Sequence, residues 1–227
     1  MAMLNKRKDK LFYFLLYLFF ALVCACFIIP LLVVISASFT SENELLSGGF
    51  SLFPKEFTTA AYQSAFKNSE KMICAYLVTI AESFGGTFLT CVVCGMIGYA
   101  LSRSSFRFKK PITWVVMFTM LFSAGMIPTY IVYSKYYHIS NSFWIYILPG
   151  ITGGAWNTMV FRTFFRTLPE SLFESARLDG ANELTIFFKI VIPLSTPVFA
   201  SLGFMMLVGK WNDYTTSMIY IRNENLY

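Results

Sequence analysis

Long apolar runs alternate with short polar intervals along the whole chain, and the runs exceed what a soluble core helix needs. Leu11 to Ile35 is 25 residues without a charge. A hydrocarbon core about 30 Å thick takes about 20 apolar residues in a helix, so this run predicts a membrane span. Further runs cover about 72–101, 112–133, 143–165 and 194–214. In the second, small residues recur every fourth position in two adjacent stripes: Ser83, Thr87, Cys91, Gly95, and Gly86, Thr90, Cys94, Gly98. Such stripes let helix backbones approach closely, so this face predicts a packing seam. The fourth run contains Pro149, Gly150, Gly153 and Gly154, which predicts a kink or break. The pattern as a whole is an all-α, polytopic transmembrane helix bundle with five readable spans.

Between the fourth and fifth runs lies a charged island, 166–193. Pro169 suits a helix start, and Glu170 and Glu174 favour the positive end of that helix. Gly180 ends it where a left-handed residue is cheap, with Asp179 able to bond the backbone beyond. Asn182 can cap a second helix, on which Leu184, Phe187, Phe188 and Val191 share one face. The first helix carries both signs of charge and reads as weakly amphipathic, which suits a groove on a protein better than a lipid surface.

Composition agrees with the pattern. Only 13% of the 227 residues are charged, about half the fraction of a soluble domain. The net charge of +6 does not mark a nucleic-acid binder, because the Lys and Arg cluster beside apolar runs. Four lie in 6–10, four in 103–110, and four more are Arg162, Arg166, Arg177 and Lys189. The alternate intervals hold five, with Lys210 near a span end. The positive-inside rule then places the N-terminus and the 166–193 loop in the cytoplasm. The first run follows a basic start but exceeds the 7–15 residues of a signal peptide's apolar region, and no small-x-small site ends it, so it reads as uncleaved. Cys24, Cys26, Cys74, Cys91 and Cys94 sit in or beside apolar runs and read as small packing residues. His138 is the only histidine, and no catalytic or metal-ligating cluster occurs, so the chain reads as a non-enzyme without cofactor or metal. No phosphate-binding loop of the Gly-x-x-x-x-Gly-Lys type occurs either, so ATP, if used, is bound by a separate subunit.

The charged island carries a resemblance. Glu174-Ser175-Ala176, then Asp179-Gly180-Ala181, then Ile190-Val191-Ile192-Pro193 resemble the cytoplasmic coupling motif of ABC-importer permeases, with Ser175 in place of the usual small apolar residue. Ala-Arg-Leu-Asp-Gly-Ala-Asn followed by Phe-Phe-Lys-Ile resembles the carbohydrate-importer branch of maltose and multiple-sugar type, as do Leu52-Phe53-Pro54, Phe57-Thr58 and Tyr99 to Arg103. The resemblance implies a permease subunit of an ATP-driven importer of a sugar or oligosaccharide, in a bacterial or archaeal cytoplasmic membrane. It implies as partners ATP-binding subunits, a homologous second permease and an extracytoplasmic solute-binding protein, besides the lipid bilayer. Glu174, Ser175, Ala176, Asp179, Gly180, Ala181 and Pro193 are then the residues that take up ATPase motion. The family pattern has six spans, so the chain reads as lacking the last. A rival reading is a membrane scaffold or sensor subunit whose helix pair binds a partner other than an ATPase.

Substrate-pathway candidates are fewer. Glu82 falls about 15 Å into the second span, where a charge costs at least about 2.5–3.5 kcal/mol and so calls for a polar cavity or a partner. It is compatible with lining the pathway, with a later helix start, or with protonation. Trp211 and Asn212 resemble a Trp-Asn element of sugar-importer permeases; Trp211 also fits an interfacial anchor. Asn157 in the fourth span fits a pathway group or a bridge between helices.

Overall fold

The computed structural model describes residues 6–67, 69–152 and 154–223, and every regular element among them is helical. The chain divides into two compact units, Met1–Met72 and Ile73–Tyr227.

In the first unit, α1 (Lys6–Ser38) bears apolar side chains on every side, none buried over its most apolar window. A helix with no polar face has no side for water, and lipid is its natural solvent. Next come α2 (Glu42–Gly48), begun by the Ser41 hydroxyl, and α3 (Ala60–Lys67). One antiparallel bridge, Thr40 to Phe57, folds the intervening loop back, with the rings of Phe39 and Phe57 stacked at 5.0 Å. Glu44 accepts the amides of Lys55 and Glu56, both at 3.0 Å, and these bonds hold its carboxyl below the ordinary value.

The second unit begins within a 34-residue helix, Ser69–Ser102. This helix comprises α4 (Ser69–Ile80), a π-helical turn (Ala81–Gly86) and α5 (Thr87–Ser102). A longer connection follows through α6 (Lys109–Leu121) and α7 (Met126–Ile131), which a π turn, Val132–Tyr136, extends. These two arms meet at 116°, so the run read as one straight span is sharply bent. The cause is local: Gly125 is left-handed at φ 83°, and Pro128 sits in the first turn of α7.

The break expected near Pro149–Gly154 separates α8 (Trp144–Thr152) from α9 (Ala155–Phe165). Gly153 lies outside the described residues. The charged island forms α10 (Glu170–Leu178) and α11 (Glu183–Ile186), the latter continued by a π turn (Phe187–Val191) and α12 (Ile192–Leu194). An 84° bend at Ser195 turns the chain into α13 (Thr196–Trp211). A short α14 (Thr215–Tyr220) follows, not anticipated from the hydropathy; Asp213 accepts the amides of Thr215 and Thr216 at its start.

The small-residue stripes do form a seam. A Cβ on Gly98 would lie 2.8 Å from Phe161 Cβ and 3.0 Å from both Arg162 N and Thr158 O, so α5 and α9 meet backbone to backbone. The Cys94 thiol donates to the Gly154 carbonyl at 3.5 Å, and a Cβ on Gly154 would run into that sulfur. Phe161, Phe165, Phe173, Ile186, Phe187 and Val191 are fully buried in one cluster with Tyr99, which joins α5, α9, α10 and the turn after α11.

Candidate coupling surface and polar cavity

The α10–α11 turn is a Schellman motif. Gly180, at φ 82°, donates to the Arg177 carbonyl and Ala181 donates to Ala176, each at 3.0 Å. Asn182 caps α11 as expected, its side chain accepting the Thr185 amide at 2.8 Å. Among the described residues no bond from the Asp179 side chain closes the turn; the two backbone bonds do. The expectation of weak amphipathicity in α10 needs correcting. Phe173 and Ala176 form a single buried stripe, while Ser171, Leu172, Glu174, Ser175 and Leu178 are exposed.

Of the expected coupling residues, Glu174, Ser175, Asp179, Gly180 and Pro193 are exposed, Ala176 is buried and Ala181 half-buried. Three apolar neighbours that the motif did not single out stand out beside them. Leu178 is 88% exposed, Leu184 55% and Phe188 49%. Spacing placed Leu184 and Phe188 on one face with Phe187 and Val191; the structure divides that set, burying Phe187 and Val191 and leaving Leu184 and Phe188 exposed, where a π turn follows α11.

What holds this surface was also missed. Arg103 is buried at the end of α5, where its guanidinium pairs with Glu170 at 3.1 Å and donates to the Phe165 carbonyl at 2.7 Å. Tyr99 donates to one oxygen of Glu183 at 2.6 Å, and Arg177 donates to the other at 2.9 Å. Burial works against the Glu183 charge, but these two donors outweigh it and the carboxyl sits below its ordinary pKa. Arg103 counted in the sequence only as one of a basic cluster. Its partners lie 62 and 67 residues away, beyond any local pattern.

A second feature is a cavity of about 620 Å³ between α5, α8, α9, α13 and α14. Thr90, Asn157, Lys210, Asn212, Asp213 and Thr216 give it polar walls. Asn157 also reaches Met206 Sδ at 3.4 Å, so it both lines the cavity and bridges helices. Glu82, on the π turn, is 4% exposed and faces Lys210 Nζ at 3.8 Å, while Lys210 donates to the Tyr146 carbonyl at 2.7 Å. Gly86 makes room for this side chain, since a Cβ there would lie 3.0 Å from Nζ. Trp211, one position on from Lys210, is 45% exposed and does not line the cavity, because successive helix positions diverge by about 100°. Lys210 was overlooked as a span-end charge. The available signal was two opposite charges inside otherwise apolar runs, each needing a partner.

The second unit is thus an all-α bundle with an open, partly polar cavity and a charged helix pair beyond its apolar runs, features that suit a membrane transport protein. Comparison with known proteins makes this specific. Residues 92–223 match the family model described as binding-protein-dependent transport system inner membrane component. The chain is 38% identical to the polygalacturonan/rhamnogalacturonan transport system permease protein YtcP of Bacillus subtilis (strain 168), over 96% of this chain and 75% of that protein. It is 29% identical to the galactooligosaccharides transport system permease protein GanQ of the same organism, over 93% and 75%. Among solved structures it is similar to a bacterial ABC transporter involved in the import of the acidic polysaccharide alginate, with a TM-score of 0.85 and 27% identity over 99% of this chain and 79% of that chain. The chain belongs to the family of binding-protein-dependent transport system inner membrane components. It is thus a permease subunit of an ATP-driven importer, from a family of transporters rather than enzymes that works with ATP-binding and solute-binding partners.

Proposed function

We propose that this permease conducts a sugar or oligosaccharide inward, and that an ATP-binding subunit docks on the exposed face of α10 and α11 on the cytoplasmic side. The observation carrying the docking assignment is the 88% exposure of Leu178, flanked by Leu184 and Phe188, in a loop whose own apolar stripe is already buried. Exposed apolar groups in a helix pair that also exposes Glu174, Asp179 and Lys189 are what a protein groove covers. A homologous second permease and an extracytoplasmic solute-binding protein complete the importer. The N-terminus and the α10–α11 loop lie inside, as the distribution of Lys and Arg indicates.

The sugar assignment draws on the cavity chemistry and on the sugar polymers and oligosaccharides named for YtcP and GanQ. Hydroxyl, amide and charged groups from Thr90, Asn157, Asn212, Asp213 and Lys210 offer both donors and acceptors, as a polyhydroxyl ligand needs. Glu82 acts from behind, holding Lys210 in place.

Docking is tested by Leu178→Asp in the assembled importer, with co-purification of the ATP-binding subunit as the readout. Loss of the subunit is expected, and retention at wild-type stoichiometry rejects the surface.

The cavity is tested by Lys210→Met, which leaves Glu82 buried without this cation. Breaking a buried pair from one side costs about 3–5 kcal/mol, read as a lower melting temperature together with lost uptake. Adding Glu82→Gln is expected to restore the melting temperature but not uptake. Recovery of both would make the pair merely structural.

A further inference from the structure

Two polar tethers root the coupling surface in the last turn of α5. Arg103 is only 4% exposed, and each of its three guanidinium nitrogens donates a hydrogen bond. Nη1 meets Glu170 Oε2 at 3.1 Å, Nη2 donates to the Phe165 carbonyl at 2.7 Å, and Nε donates to Ser102 Oγ at 2.9 Å. Its carbon lies 3.9 Å from the centroid of the Phe173 ring. One helical turn earlier, Tyr99 grips Glu183, which also holds Arg177 of α10. Both helices of the projecting pair are therefore fastened to α5 as well as to each other.

The same helix forms part of the cavity wall. Thr90 lines the cavity thirteen positions before Arg103, about 20 Å along a helix at 1.5 Å per residue. Between them, Cys94 and Gly98 lie in the tight seam with α8 and α9. A close-packed interior transmits displacement because it has few voids to absorb it.

We infer that α5 is a transmission rod, with Tyr99 and Arg103 as positioning residues that carry displacement of α10 and α11 to the cavity. This rests on reading α10–α11 as the docking surface. The helices joined covalently to the island offer an obvious route; the tethers supply another, through a helix some 70 residues upstream in sequence. Arginine suits the task because its planar fork fixes several bond directions at once, whereas lysine keeps the charge on a flexible stem.

The test uses the complete importer, with second permease, ATP-binding subunits and solute-binding protein, in proteoliposomes. Arg103→Lys is expected to retain the ATP-binding subunits and ATP hydrolysis but to lower solute taken up per ATP by about tenfold, within the 5–150-fold usual for coupling between sites. Tyr99→Phe, which loses one hydroxyl and keeps the ring packing, is expected to lower the same ratio by a smaller factor. A wild-type uptake-to-ATP ratio in both variants overturns the inference. So does loss of the ATP-binding subunits from both, since the residues would then serve assembly. Failure of the docking reading shows separately, as subunit retention by Leu178→Asp.

Discussion

Gly180→Val is expected to remove most substrate-stimulated ATP hydrolysis from the assembled importer while leaving the permease inserted and soluble in detergent. The effect is conformational rather than steric, because nothing lies within 4 Å of a Cβ built at Gly180. Its φ of 82° is the difficulty. A left-handed backbone costs an L-residue about 1–2 kcal/mol, and a β-branched side chain suits that region worst. The turn escapes by giving up the Gly180–Arg177 and Ala181–Ala176 bonds, which reorients α11 against α10. Glu183 then no longer meets Tyr99 and Arg177 together. A penalty of one or two kcal/mol shifts the population of the correct turn by roughly 5–30-fold, and stimulation should fall accordingly. Gly180→Ala should fall less. Undiminished stimulation in the valine variant, measured with saturating solute-binding protein, would sink the coupling assignment.

Gly98→Val is expected to be the most damaging single change to the bundle itself. Two of the three nearest atoms to its added carbon are backbone, Arg162 N and Thr158 O, both 3.0 Å away, and they cannot swing aside. The alternatives are to push α9 off α5 or to leave the seam unformed. Overpacking of this kind costs typically about 1–3 kcal/mol, and more where two backbones must part. The measurement is the melting temperature and yield of the purified permease. Gly209→Ala is the matched control, since a Cβ there meets nothing within 4 Å. Equal melting temperatures for the two variants would show that the α5–α9 contact is looser than the geometry requires.

Apolar runs, small-residue stripes, the Pro–Gly break and the helix pair around Gly180 were all legible in the sequence. Each depends on residues close in the chain: periodicity, φ preference and capping are local quantities. The motif that carries the family resemblance was legible for the same reason, being confined to one loop. Local reading erred where a single backbone irregularity changed direction. Gly125 bends the third run, and where a π turn, Phe187–Val191, replaces the regular helix, Phe188 is exposed while Phe187 and Val191 are buried.

The sequence by itself determined that this is a membrane bundle with a charged helix pair between two apolar runs, because hydrophobic length and turn chemistry are properties of contiguous residues. Only the tertiary structure decided what holds that helix pair and what stands beside the cavity. Arg103 reaches Glu170 across 67 residues, and Lys210 reaches Glu82 from another helix altogether. A buried charge announces that it needs a partner, but which partner depends on how the helices pack, and that is settled by the backbone approach at Gly98 and the room Gly86 leaves for the Lys210 side chain rather than by spacing along the chain.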